Sequence, residues 1–194
     1  SNDRIKLATI SAYAFSSVLT RLAIPNEVSG FTTLNDYGDY SDAEKVDAEE
    51  RRLGRRFSRY EAIYNPIFKD FEESMTTDVK GRIAAIPYEM SLRNNLDGES
   101  VASAGVRLMG RTERKRIIVV LSDGQPYAEG DFNSQGQHLK RVVDELTKAG
   151  ITMIGIGIQS GAVTQYYPQS AVINDLSELP AKLMGELRNH ILGI

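Results

Sequence analysis

Residues 116–122 read Arg-Ile-Ile-Val-Val-Leu-Ser and run straight into Asp123-Gly124-Gln125-Pro126. Ile117 to Val120 are all β-branched, with no polar residue between them. Such a run suits a strand covered on both faces, the pattern of a central strand in a parallel sheet. Ile151–Ile158 (ITMIGIGI) reads as a second buried strand, adjacent and parallel to the first, and Ala171–Asn174 as a short third. His138–Ala149 is amphipathic and ends at Gly150, and Ser177–Ile191 opens on Ser177 and reads as a closing helix. Strands alternating with helices predict an α/β fold, a doubly wound, mostly parallel sheet flanked by helices.

Working back from that strand, Ser100–Met109 is a small-residue helix suited to close packing on a sheet, and Asn94–Glu99 is a turn. Phe71–Leu92 carries apolar residues every three or four positions, with Gly81 and Pro87 as breakers that would split the helix. Tyr60–Phe68 has the content of an edge strand broken by Pro66. Asn26–Thr33 reads as a short strand. Asp3–Leu22 has an apolar stripe at helical spacing, with Ser1 or Asn2 to cap it. Residues 34–58 differ: they are dense in charge and nearly free of apolar anchors, as expected of an insertion outside the core. The arginines at 51, 52, 55, 56 and 59 form either a solvated helix face or a partner-docking patch. A doubly wound fold opens on a buried strand, whereas this chain opens on a helix. The first strand is therefore expected to be missing from the numbered residues.

With 194 residues, the expectation is a single domain. Hydrophobic residues at 41% and charged residues at 25% give an ordinary globular core and surface. A net charge of −3 argues against a dedicated nucleic-acid binder. The absence of cysteine excludes disulfides, thiolate metal sites and thiol nucleophiles. No apolar run reaches the roughly 18 residues of a membrane span, and no signal peptide is visible, so the cytoplasm is the expected location.

In doubly wound sheets, ligands bind at the carboxyl ends of the strands. Asp123 stands at that end of the 116–122 strand and is either a ligand-facing carboxylate or part of a turn-forming Asp-Gly. Asn94-Asn95-Leu96-Asp97-Gly98-Glu99 offers oxygen donors without nitrogen bases, a set suited to Mg²⁺ or Ca²⁺. Alone, Asp97-Gly98 reads as a helix N-cap. Gly155-Ile156-Gly157-Ile158-Gln159-Ser160 fails as a dinucleotide motif, and its glycines instead suit close packing. No phosphate-binding loop or nucleophile elbow is present. Tyr166-Tyr167-Pro168 reads as an aromatic plug. His138 and His190 lack triad partners and are expected to pack or lie at the surface.

The strings RTERKRIIVVLSDGQP (111–126), LRNNLDGES (92–100) and IGIGIQSGAVTQYYPQSAVINDLSEL (154–179) together resemble the von Willebrand factor A domain of CobT-type subunits of aerobic cobaltochelatase. DRIKLATISAYAF (3–15) and EVSGFTT (27–33) look like the first helix and second strand of that domain. The resemblance implies a metal-ion-dependent adhesion site with ligands from three loops. Carried over, Asp123 matches the last ligand, Asn95 falls nearest the Thr-type position, and Asp97 is its possible substitute. The Asp-x-Ser-x-Ser of the first loop has no match, so the site is expected to be incomplete in these residues, with Mg²⁺ or another divalent cation held weakly. The implied role is that of a non-catalytic, metal-dependent interaction module in a hetero-oligomer. Its implied partners are an AAA+ ATPase subunit of the CobS type and a large chelatase subunit that inserts Co²⁺ into a corrin ring in cobalamin biosynthesis. The alternatives are a module serving another AAA+ ATPase, and a metal-dependent α/β hydrolase acting through Asp123.

Overall fold

The computed structural model describes residues 2–34, 40–57, 59–90, 92–128, 132–178, 181–182 and 185. The core is the parallel sheet β5(Arg116–Ser122), β6(Ile151–Ile158) and β7(Gln169–Ile173), in that spatial order. Ile117 pairs with Thr152 and Ser122 with Gly157, and β7 continues from Ile154↔Gln169 to Ile158↔Ile173. The two runs of consecutive aliphatics are therefore adjacent parallel strands.

Side chains alternate across this sheet, as the strand period of two requires. Ile154, Ile156 and Ile158 form one fully buried cluster, joined by Ile117, Val119 and Leu121 and covered by Leu7 and Phe15 of helix α1(Asn2–Arg21). On the other face, Val120 and Met153 pack against Val101 of α4(Asp97–Met109) and Leu139 and Val143 of α5(Phe132–Lys148). Helix α5 begins six residues before the predicted start, because its apolar stripe begins only at Leu139. Its first turns are polar, and Gln135 is buried in a two-way hydrogen bond with the backbone of Ala128 (2.8 and 2.9 Å). The small residues of α4 serve close approach to α5 more than to the sheet: a Cβ on Gly98 would meet the His138 ring, and one on Gly105 would meet Leu146.

β5 pairs with β6 along one edge. Among the described residues its second edge pairs with no strand, and only Val120 and Ser122 are fully buried. A largely apolar cleft of about 570 Å³ runs along that edge, walled by α1 at Ala8 and Leu19, by α4 at Ala104 and Leu108, and by Phe31 and Phe68. The hydroxyls of Thr9 and Ser11, both buried, line it without a hydrogen-bond partner among the described residues. Continuous aliphatic sequence thus reports coverage of both faces by helices.

Beyond the cleft lie two short antiparallel pairs. β1(Val28–Ser29) pairs with β4(Ile67–Lys69), and β2(Thr32–Leu34) with β3(Ala62–Tyr64). The expected strand over 26–33 is therefore two strands, and Pro66 separates their partners. Gly30 marks the break: a Cβ there would meet the Phe68 ring at 2.9 Å. Lys69 is buried and donates to the Asn26 and Asp70 carbonyls (2.6 and 3.1 Å), which ties β4 to the end of α1.

Helix α3(Thr77–Glu89) starts later than predicted, because Thr76 caps it by accepting from the Val79 N–H. It is not split. Gly81 faces open space, and Pro87 sits in the last turn, where little helix remains for it to break.

Within the charged segment, α2(Tyr40–Arg52) is helical. The segment is less detached than its composition implies. Phe57 is buried with Leu96 and Ala128 and stacks on the His138 ring at 4.0 Å, while Glu50 accepts from Arg141 at 2.7 Å. Arg51 and Arg52 pair with Asp47 and Glu49 of their own helix, whereas Arg59 is buried. No described helix is long and apolar enough to cross a membrane. His190 and most of the expected closing helix lie outside the described residues.

Candidate metal and docking site

The candidate site lies at the carboxyl end of β5. Ser122 is buried and its hydroxyl donates to the Gly124 carbonyl (3.3 Å), which turns the chain out of the sheet. Asp123 follows with its side chain half exposed (51%), so it faces the crevice and not the core. Arg4, in the first turns of α1, donates to the Asp123 carbonyl (3.3 Å) and holds its guanidinium 3.7 Å from the carboxylate.

The second loop comes to the first through Asn95. Its backbone makes a two-way antiparallel bridge with Tyr127: Asn95 N–H donates to the Tyr127 carbonyl (2.8 Å), and Tyr127 N–H donates back (3.1 Å). The Asn95 side-chain amide donates to Asp97 Oδ1 (2.5 Å) and to the Gln125 carbonyl (3.2 Å). With both amide hydrogens used, Oδ1 is the acceptor that remains. The structure thus brings Asn95, Asp97 and Asp123 to one edge of the sheet.

Asp97 is not the N-cap of α4. Leu96 occupies that position without a side-chain cap bond, and Asp97 is the first helical residue. It is 1% exposed. Burial, reinforced by the nearby Asp123 charge, pushes its carboxyl up to about 7, against the Asn95 hydrogen bond and a backbone N–H that favour ionisation. A helix N-terminus also favours the anion, and here desolvation outweighs it. Tyr166 donates its hydroxyl to Gln125 Oε1. Burial and the Asp97 charge push the phenols of Tyr166 and Tyr167 up. The predicted aromatic plug therefore divides: Tyr166 reaches the site loop, and Tyr167 packs on Gly155.

The donor set is oxygen-only, and its buried, charge-strained carboxylate is one that a cation would relieve. In kind it fits Mg²⁺, which takes oxygen ligands and keeps several waters. In number it falls short: no group of three or more His, Cys, Asp or Glu that could hold a metal occurs among the described residues. His138 is not a ligand candidate. Its ring is stacked on Phe57 with its Nδ1 edge against Gly98, and burial, helped by Arg141 and Arg55, pushes it down to about 4.

Sequence reading missed Gln125, Tyr127 and Arg4. Asn95 and Gln125 are 30 residues apart, and nothing in local spacing marks the pair. A bridge between two loops leaves no periodic trace. A family model described as the VWA domain of cobalamin biosynthesis protein CobT matches residues 1–193. The chain belongs to the family of CobT von Willebrand factor A domains.

Proposed function

We propose that this chain is a non-catalytic, cation-dependent docking module of a cobaltochelatase in cobalamin biosynthesis. It links an AAA+ ATPase subunit to the large subunit that places Co²⁺ in a corrin ring, in the cytoplasm. The observation that carries the reading is the Asn95–Tyr127 bridge, which brings an oxygen-only donor set to the carboxyl edge of β5. Asp97 and Asp123 are the anionic ligands, and the Asn95 side-chain oxygen is the third. A first-loop Asp-x-Ser-x-Ser would reach the same point along the cleft beside β5, because α1 begins next to Asp123. A bound Mg²⁺ would keep an open position for a partner carboxylate.

The hydrolase alternative needs a second acid–base group in the crevice. Asp97 titrates in the right range, yet at 1% exposure it cannot reach a substrate. No turnover of generic phosphoesters by the protein alone is expected.

Two results test the reading. These 194 residues alone are expected to bind Mg²⁺ weakly or not at all by calorimetry. In the full-length protein, Asp123→Ala is expected to abolish binding to the ATPase partner at saturating Mg²⁺. The fold should survive at a cost within roughly 0.5–3 kcal/mol, because the side chain leaves no core cavity. Val120→Ala, buried on the same strand, should lower the melting temperature and spare docking in the folded fraction. Docking by Asp123→Ala as tight as wild type would refute the reading.

A further inference from the structure

The segment that carries Asn95 and Asp97 is gripped from one side by residues flanking β3. Glu61 is buried, at 6% exposure. Its Oε1 accepts from the Thr33 hydroxyl (2.9 Å), and both carboxylate oxygens accept from the Asn94 side-chain amide (2.9 and 3.0 Å). Arg59, at 9% exposure, donates Nε and Nη2 to the Glu99 carboxylate (2.9 and 3.3 Å) and Nη1 to the Glu61 carbonyl (3.0 Å). β2 completes the hold: Thr33 N–H donates to the Asn94 carbonyl (3.0 Å), and the Arg93 N–H donates to the Thr32 hydroxyl (2.9 Å). Asn94 is the residue before Asn95, and Glu99 follows Asp97 by two. One short stretch of chain therefore fixes the site loop on both sides of its donors.

We propose that Arg59 and Glu61 are positioning residues, a two-point clamp that holds Asn95 and Asp97 in place for a divalent cation. The proposal rests on the cation-site reading above. Arg59 holds Glu99 and Glu61 holds Asn94, so each acts through a neighbour of a donor. The need for a clamp follows from the chemistry. Two carboxylates near one another repel, and a loop free to swing would separate them. Charge-assisted hydrogen bonds in a dry setting resist that motion and hold ligands ready before the ion arrives. Partners that orient ligands in this way typically change metal affinity 10–100-fold when removed.

The test uses the full-length protein with Mn²⁺ as the probe, its affinity read by electron paramagnetic resonance at a temperature where circular dichroism shows every variant folded. Glu61→Ala leaves the Asn94 amide and the Thr33 hydroxyl without their acceptor, and is expected to weaken Mn²⁺ binding by about 10-fold or more. Glu61→Gln keeps one acceptor for the Asn94 amide and sets an NH2 group against it in place of the other, and is expected to weaken binding less than Glu61→Ala does. If Glu61→Ala does not fold, Asn94→Ala severs the same contact from the loop side and should show the same loss. Asp123→Ala is the reference. Loss in Asp123→Ala together with wild-type affinity in Glu61→Ala, or in Asn94→Ala where that variant stands in, overturns the clamp and leaves the site reading intact. So does an equal loss in Glu61→Gln and Glu61→Ala. Unchanged Mn²⁺ binding in Asp123→Ala overturns the site reading, and the clamp falls with it.

Discussion

Gly157→Ala is expected to cost about 3 kcal/mol or more of folding stability, read as a large fall in the urea midpoint. A Cβ at this position would lie 1.9 Å from the backbone oxygen of Ser160, with the Ser160 carbonyl carbon and Val163 Cγ2 both at 3.1 Å. Overlap with a flexible side chain is relieved by a rotamer change, whereas overlap with backbone requires the turn itself to move. That turn is pinned. Gln159 already sits in the left-handed region at φ 53°, and its N–H donates to the Ile173 carbonyl at 2.8 Å. The strand cannot retreat either, since Gly157 is paired with Ser122 on one side and Val172 on the other. Gly105→Ala should cost less, because its Cβ would meet the terminal methyls of Leu146, at 2.5 Å for the nearer. Gly124→Ala should be close to neutral, having nothing within 4 Å. Equal urea midpoints for all three variants would refute this ordering.

The glycines of ITMIGIGI show what a sequence can and cannot disclose. Their alternation within an apolar run marked one face of β6 as closely approached, and the structure puts Tyr167 and the Ser160 turn there. Which atoms would make the approach was not legible, because the path of the turn after β6 that brings Ser160 and Tyr167 back onto the strand is not written in its spacing. The same division holds elsewhere. β5, β6 and the helices α4 and α5 follow from periodicity and turn chemistry, which are local. The division of the expected 26–33 strand into β1 and β2 does not, since Phe68 of another strand closes on Gly30 at the break.

The site divides in the same manner. Asp123 was legible from its place after a buried strand. Asn95 and Asp97 were legible as oxygen donors in a turn. Their union depends on the bridge from Asn95 to Tyr127, and their support on Arg59 and Glu61, 40 and 33 residues distant from the partners they hold. In composition, Arg59 was one of a run of arginines with its charge expected in solvent. Only the fold shows that it is buried against Glu99.

Asp97→Asn is expected to raise stability at pH 8 and to change it little at pH 4. The folded carboxyl sits at about 7 against an ordinary value of 3.8, so the folded state binds this proton more tightly than the unfolded chain does. Its contribution is therefore full below the unfolded value and is lost as pH rises through 7, a span worth roughly 4 kcal/mol at one pKa unit per 1.36 kcal/mol. The amide stays neutral throughout and still accepts from Asn95, so the variant escapes that loss. His138 runs the other way. Its folded value of about 4 lies below the ordinary value of 6.5, so its contribution is full above 6.5 and is lost as pH falls through 4. Between those limits the two slopes oppose each other, and wild-type stability should be nearly flat. Asp97→Asn should uncover a rise with pH from His138, and His138→Gln should uncover a fall with pH from Asp97. Denaturant midpoints across pH 4–8 decide the matter, and parallel curves for wild type and Asp97→Asn would overturn it. A second measurement links this cost to the site. In the full-length protein, Mg²⁺ should stabilise wild type at pH 8 by neutralising the buried carboxylate, and should do far less for Asp97→Asn, which has no charge there to neutralise.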